Sequence, residues 1–179
     1  VIVLYKENLN FKWCVPKDNF FSSSECNSIV NHINEKGVSA FKNRSYTQHL
    51  ELTDDSLTSK LWSEVQLINN IFYRFNLGGI RQIVGLKYDD DIFKESNIHT
   101  DFGKQYKDTD KLDTTHKMTC VIFLNDDYDG GELEISNDLI KPKKGSMVLF
   151  PSFAPHKVKQ FYSGNRYVLI GVVEGDTFV

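Results

Sequence analysis

The apolar positions change period partway along the chain. In the first part they recur every three or four residues, and from Ile80 onward they fall into short runs broken by turn residues. Ser22-Ser23-Ser24-Glu25 has capping-box spacing, in which a serine side chain and a glutamate three residues on satisfy each other's backbone N–H groups. Cys26, Ile29, Val30 and Ile33 follow at helical spacing, and Gly37 offers a stop. A second helix is predicted from Asp54 or Asp55, with Leu57, Leu61, Val65, Ile68, Phe72 and Phe75 in one stripe and Gly78-Gly79 at its end. Both helices need an apolar surface to lie on. Ahead of them, Val1–Val15 has the partial alternation of edge strands.

The second part predicts strands over Ile80–Tyr88, Asn97–Asp101, Lys117–Leu124, Glu132–Ile135, Ser146–Phe150, His156–Phe161 and Arg166–Val173. Turn signals separate them, among them Asp129-Gly130-Gly131, Lys144-Gly145 and Ser163-Gly164-Asn165. So many short strands at close spacing imply an antiparallel sandwich or barrel, with the helices covering one sheet. Phe102–His116 is the longest interruption and is expected to be a lid.

A length of 179 residues fits one domain over 1–179, with 1–79 supplying a strand and supporting helices and 80–179 the β core. The apolar fraction of 40% is enough for a buried core, and a formal charge of −3 gives no general reason to expect nucleic acid or an anionic membrane as partner. No apolar run reaches the roughly 18 residues of a membrane span, and Val1–Tyr5 is too short for a signal segment. Three cysteines without CxxC spacing suit a reducing compartment, so the expected location is cytoplasmic. Acidic residues crowd Asp89–Asp138, whereas Leu139–Val173 carries Lys141, Lys143, Lys144, Lys157, Lys159 and Arg166 and no acid. An acidic mouth would favour a neutral or basic peptide over nucleic acid, though a solvated rim accounts for the same charges.

Three elements carry chemistry. In a strand, residues i and i+2 share a face, so His99 and Asp101 would converge; one nitrogen and one oxygen ligand suit a first-row divalent metal. Alone, the triplet fits a surface histidine beside a solvated aspartate at least as well. His156 lies in the apolar stretch Phe150-Pro151-Ser152-Phe153-Ala154-Pro155-His156 and is expected to point into a barrel. Two histidines and a carboxylate on one face leave sites open on Fe(II). Arg166 follows ten residues later, across the Gly164-Asn165 turn, and is expected alongside His156. Without a nearby acidic residue, its planar fork suits a bound carboxylate. His116 and His49 read as solvated loop residues and His32 as a surface side chain.

In order and spacing, His99-x-Asp101, Asp129-Gly130-Gly131-Glu132-Leu133, Lys141-Pro142-x-x-Gly145-Ser146, Phe150-Pro151, His156 and Arg166 resemble the 2-oxoglutarate/Fe(II) dioxygenases, and within them the prolyl-4-hydroxylase-like group. The resemblance implies an α+β, mainly β fold, a double-stranded β-helix (a jelly-roll, cupin-like barrel) with N-terminal helices packed on one sheet. It implies that His99, Asp101 and His156 hold Fe(II), that Arg166 binds the distal carboxylate of 2-oxoglutarate, and that Tyr88 lies near that co-substrate. The implied cofactors are Fe(II), 2-oxoglutarate and O2, with ascorbate admitted. The implied activity is hydroxylation of an unactivated C–H bond, with 2-oxoglutarate decarboxylated to succinate. The substrate would be a prolyl residue of a peptide or protein, with another residue type or a small molecule as the alternative, and no nucleic acid or membrane as partner.

Two positions depart from the group's pattern. Phe123 stands where a tyrosine often bonds the co-substrate, so Arg166 is expected to draw help from Thr119, Tyr88 or water; Val172 stands where a tryptophan is common. Ile122, Leu149 and Val168 are expected to line the reaction chamber. A non-enzymatic jelly-roll binding module and a cupin-like metal enzyme needing no 2-oxoacid are the rival readings.

Overall fold

Ser22 caps the first helix as its spacing predicts. In the computed structural model, which describes residues 11–39, 46–89, 95–102, 105–106 and 114–176, Ser22 Oγ accepts from the Glu25 N–H at 3.2 Å and Glu25 Oε2 accepts from the Ser22 N–H at 2.8 Å. The helix α1 (Ser23–Lys36) stops at Gly37. Asp54 caps α2 (Asp55–Ile68), its Oδ1 accepting from the Leu57 N–H at 2.6 Å. Gly78-Gly79 does not end this helix. A wide π-turn over Asn69–Tyr73 does, closing at Arg74 with φ 57°. The Asn69 side chain donates to the Phe75 carbonyl and accepts from its N–H, so the chain leaves the helix early. The wide turn rotates the stripe, burying Tyr73 and leaving Phe72 half-buried.

The strands, in chain order, are β1 (Val15–Lys17), β2 (Val38–Ser39), β3 (Gln48–Glu51), β4 (Gly79–Asp89), β5 (Gln105–Tyr106), β6 (Thr114–Phe123), β7 (Asp129–Gly130), β8 (Leu133–Ile135), β9 (Asp138–Ile140), β10 (Met147–Pro151), β11 (His156–Val158), β12 (Phe161–Ser163) and β13 (Asn165–Asp176). Among the described residues, the major sheet runs β1-β10-β6-β13-β4-β3-β2, with β5 pairing β6. The opposing layer consists of β11-β8-β9 and the pair β12-β7. All pairings among the described residues are antiparallel. This is the expected jelly roll, with α1 and α2 against one face of the major sheet.

Both faces of that sheet are buried, which gives its strands two interleaved apolar sets. Met118, Cys120 and Ile122 of β6, Met147 and Leu149 of β10, and Leu169 of β13 pack with Ile33 of α1 and Leu61 and Val65 of α2. Val121 and Phe123, Val148 and Phe150, and Val168 face the other way, into the barrel. Ile122 and Leu149 therefore face the helices rather than the chamber, and of the expected lining residues only Val168 faces inward. The helices sit close. A Cβ at Gly85 would lie 2.7 Å from Ile33 Cδ1, and one at Gly171 would lie 2.9 Å from Leu61 Cδ2.

The expected strand His156–Phe161 is two strands with different partners: β11 pairs β8, and β12 pairs β7. The expected strand Asn97–Asp101 is reduced to one bridge, between His99 and His156. The expected lid over Phe102–His116 falls largely on residues 103–104 and 107–113, outside the described residues; Gln105–Tyr106 pairs back onto Thr114-Thr115. His49 is a half-buried residue of β3 rather than a solvated loop residue. His32 is exposed on α1. No described helix is long and apolar enough to cross a membrane.

Candidate active site

His99 and His156 exchange both backbone hydrogen bonds, at 3.0 and 2.8 Å, so a single bridge fixes the two imidazoles with ring centroids 4.3 Å apart. Each ring is turned the same way. His99 Nδ1 lies 2.9 Å from the Asn97 carbonyl and His156 Nδ1 lies 3.0 Å from the Ala154 carbonyl. A carbonyl can only accept, so each Nδ1 carries the proton and each Nε2 keeps its lone pair in the neutral ring. Phe150 packs edge-on against the His156 ring at 4.8 Å.

Asp101 is brought in by the loop before β11. The Ser152 carbonyl accepts from both the Asp101 and Phe102 N–H groups, at 2.8 and 3.0 Å. Ser152 is fully buried and is itself pinned, its N–H donating to the Lys117 carbonyl and its hydroxyl to the His116 carbonyl. Asp101 Oδ2 stands 3.6 Å from His156 Nε2. One ligand atom each from His99, Asp101 and His156 lies within 4.8 Å of the others, and no other such cluster occurs among the described residues. Two neutral imidazole nitrogens and one carboxylate oxygen fit Fe(II) with positions left open.

A buried polar chain supports the carboxylate. Thr119 Oγ1 donates to Asp101 Oδ2 at 2.7 Å, and His116 Nε2 lies 3.1 Å from that same hydroxyl. The threonine proton is committed to Asp101, so the His116 Nε2–H donates to the hydroxyl oxygen, shared with the Met118 carbonyl at 3.0 Å. His116 is only 2% exposed, which corrects its reading as a solvated residue. Thr119 serves Asp101 rather than Arg166. It pairs with Val172 on β13, six positions along from Arg166.

Arg166 reaches the chamber from a different strand system than expected. Its strand β13 pairs with β4 and β6, not with the strand of His156. Register sets Arg166 opposite Tyr88, with the guanidinium carbon 5.1 Å from the Tyr88 ring centroid and 5.8 Å from that of Phe123. The side chain is 1% exposed and Nε has no hydrogen-bond partner. No carboxylate pairs with it among the described residues. Burial raises the Tyr88 phenol, against the opposing pull of the Arg166 charge, so it stays protonated.

The inward row of β6 relates the two ends. Thr119, Val121 and Phe123 follow at two-residue steps, about 13 Å from first to last at strand spacing. Asp101 sits at the Thr119 end and Arg166 over Phe123. The row thus runs from the metal-ligand cluster to the guanidinium. Val172 lies at the metal end and Phe123 at the guanidinium end, so the two departures affect different halves of the site. Thr119, Ser152 and His116 were the contributors least visible in the sequence. Thr119 alone left a trace, since it lies four residues before Phe123 and so on the same strand face.

Residues 87–174 match the 2OG-Fe(II) oxygenase superfamily. A PKHD-type hydroxylase from Hyphomonas neptunium is 35% identical over 81 residues, covering 43% of this chain and 36% of that protein. The chain thus spans about a third of the length of that curated relative. Among solved structures, the viral collagen prolyl hydroxylase of Paramecium Bursaria Chlorella virus-1, in its 2OG complex, superposes with a TM-score of 0.71 at 16% identity, covering 92% of this chain and 97% of that one. A prolyl hydroxylase from Trichoplax adhaerens, in complex with a hypoxia inducible factor oxygen degradation domain peptide fragment, gives 0.67 at 19% identity, covering 93% and 84%. The superfamily uses Fe(II), 2-oxoglutarate and O2. Residues 87–174 thus carry the pattern of the 2OG-Fe(II) oxygenase superfamily, on a jelly-roll fold that the chain shares with the two prolyl hydroxylase structures.

Proposed function

We propose that the protein is an Fe(II)- and 2-oxoglutarate-dependent hydroxylase of prolyl residues in a peptide or protein, with His99, Asp101 and His156 as iron ligands and Arg166 and Tyr88 at the co-substrate. The observation that carries this reading is the pairing of a two-histidine, one-carboxylate cluster with a buried guanidinium that has no carboxylate partner among the described residues. When bound, iron, 2-oxoglutarate and O2 supply the oxidation: CO2 leaves, one oxygen atom enters succinate and the other becomes a hydroxyl on the substrate carbon.

The residues of the chain supply placement. The Nδ1–H bonds of His99 and His156 aim both Nε2 atoms at one point, and Thr119 fixes the carboxylate opposite them. Arg166 orients the co-substrate by its far carboxylate. Val121, Val148, Phe150 and Val168 exclude water and offer no polar group to be oxidised.

A peptide substrate is supported by the peptide-bound Trichoplax neighbour, and prolyl chemistry by the names of both structural neighbours. Ascorbate would serve only to return oxidised iron to Fe(II). Three buried thiols, Cys14, Cys26 and Cys120, suit a cytoplasmic setting. The test is a panel of prolyl peptides followed by mass spectrometry and a succinate assay. One added oxygen atom on proline, matched by succinate, is expected. Succinate formation stimulated only by substrates without proline would refute the prolyl assignment.

A further inference from the structure

Among the described residues, two buried polar atoms beside one another have no well-directed hydrogen bond: Arg166 Nε and the Tyr128 hydroxyl. Both side chains border the notch left by Gly131. A Cβ placed there would lie 3.2 Å from Tyr128 Cε2, 3.4 Å from Arg166 Cδ and 3.7 Å from Arg166 Nε. Gly131 has a φ of +68°, which already disfavours a side chain, so the notch is built into the backbone. The Tyr128 ring is held in place on two sides. It packs edge-on against Phe161 at 5.6 Å, and Gly164 comes close enough that a Cβ there would lie 3.2 Å from Tyr128 Cβ.

Buried polar atoms are almost always paired, so two adjacent orphans mark the place of a ligand. The chemistry of the pair defines its class. Arg166 Nε can only donate, and burial pushes the Tyr128 phenol up to about 12 against the lowering pull of the adjacent Arg166 guanidinium, through its charge and its hydrogen bonding to the phenol oxygen, so the phenol keeps its own proton to donate. A cation and two donors, with no carboxylate bonded to either among the described residues, suit an anionic, planar acceptor. Phe123, 5.8 Å from the guanidinium carbon, offers only a ring face.

We propose that the Tyr128 hydroxyl donates to the distal carboxylate of 2-oxoglutarate alongside Arg166, making Tyr128 a co-substrate-binding residue. This rests on the co-substrate reading above. The hydrogen bond exists only when the acid carries a second carboxylate, which allows the role to be separated from general packing.

The test is calorimetric titration of two acids into the Mn(II)-loaded protein, parent and Tyr128→Phe. One acid is 2-oxoglutarate; the other is 2-oxobutanoate, which keeps the metal-binding 2-oxoacid head and lacks the distal carboxylate, titrated to millimolar concentration. Tyr128→Phe should weaken 2-oxoglutarate roughly tenfold or more, the usual consequence of losing one hydrogen bond to a charged group, and leave 2-oxobutanoate within about twofold. An equal loss for both acids, or no loss for 2-oxoglutarate, overturns the proposal while the co-substrate reading stands. Failure of the parent to bind 2-oxoglutarate at all overturns both.

Discussion

Thr119 Oγ1 donates a 2.7 Å hydrogen bond to Oδ2 of Asp101, across 18 residues of sequence and in a site where both residues are buried. The carboxylate is thereby turned before any metal arrives, with the oxygen that Thr119 holds also standing 3.6 Å from His156 Nε2. Outer partners of this kind commonly govern metal affinity. Thr119→Val, which keeps the shape and removes the donor, should lower Fe(II) affinity by about 10–100-fold with little change in melting temperature. Thr119→Ser should restore most of it. Competition with a chelating dye measures both; equal affinity in the valine variant would show that Asp101 needs no such support.

Glu25 ties α1 to α2. It accepts from the Ser22 N–H and, at 2.6 Å, from Lys60 Nζ. The Lys60 hydrogen bond first, and Ser22 next, hold its carboxyl down at about 2. A depressed carboxyl stabilises the fold above its ordinary range and loses that contribution as pH falls through its folded value. The Glu25 contribution is therefore full above about pH 5, falls as the pH drops, and is gone only below about pH 2. The side chain is 43% exposed, so solvent screening limits the effect. Glu25→Gln should cost about 0.5 kcal/mol in urea unfolding at pH 7 and much less at pH 2. A cost that does not change with pH would place the effect in packing instead.

Gly85→Ala tests how closely α1 lies on the sheet. The added methyl would meet Ile33 Cδ1 at 2.7 Å and Cγ1 at 2.9 Å. Overpacking of this kind costs about 1–3 kcal/mol. Ile33→Val removes the nearer atom, so the double variant should be more stable than the sum of the two single changes. Strict additivity in denaturant melts would contradict the contact.

The helices and most strands were legible because their signals are local. Ser22 with Glu25, and Asp54 ahead of an apolar stripe, need nothing beyond their own neighbours. What sequence could not assign was facing. Lys117–Leu124 and Ser146–Phe150 are apolar at nearly every position because both sheet faces are buried, so no alternation told Ile122 and Leu149 from Val121 and Val148. His99, Asp101, His156 and Arg166 stood out through residue type and order, yet their convergence came from a bridge and a loop rather than from the strand assumed. His116 and Thr119 could not be read at all as a pair, since a three-residue offset on a strand says nothing of the bulge between Val173 and Glu174 that lies against them. Tyr128 was hidden in a turn whose glycines were read only for their backbone.

The most direct test of the site is anaerobic addition of Fe(II) and 2-oxoglutarate to the metal-free protein, watched for the visible metal-to-ligand charge-transfer band. The parent should give the band, His99→Ala should lose it, and Arg166→Lys, which keeps the charge but not the planar fork, should need at least tenfold more 2-oxoglutarate to reach it. A parent that binds Fe(II) and shows no band at saturating 2-oxoglutarate would contradict the account at its centre.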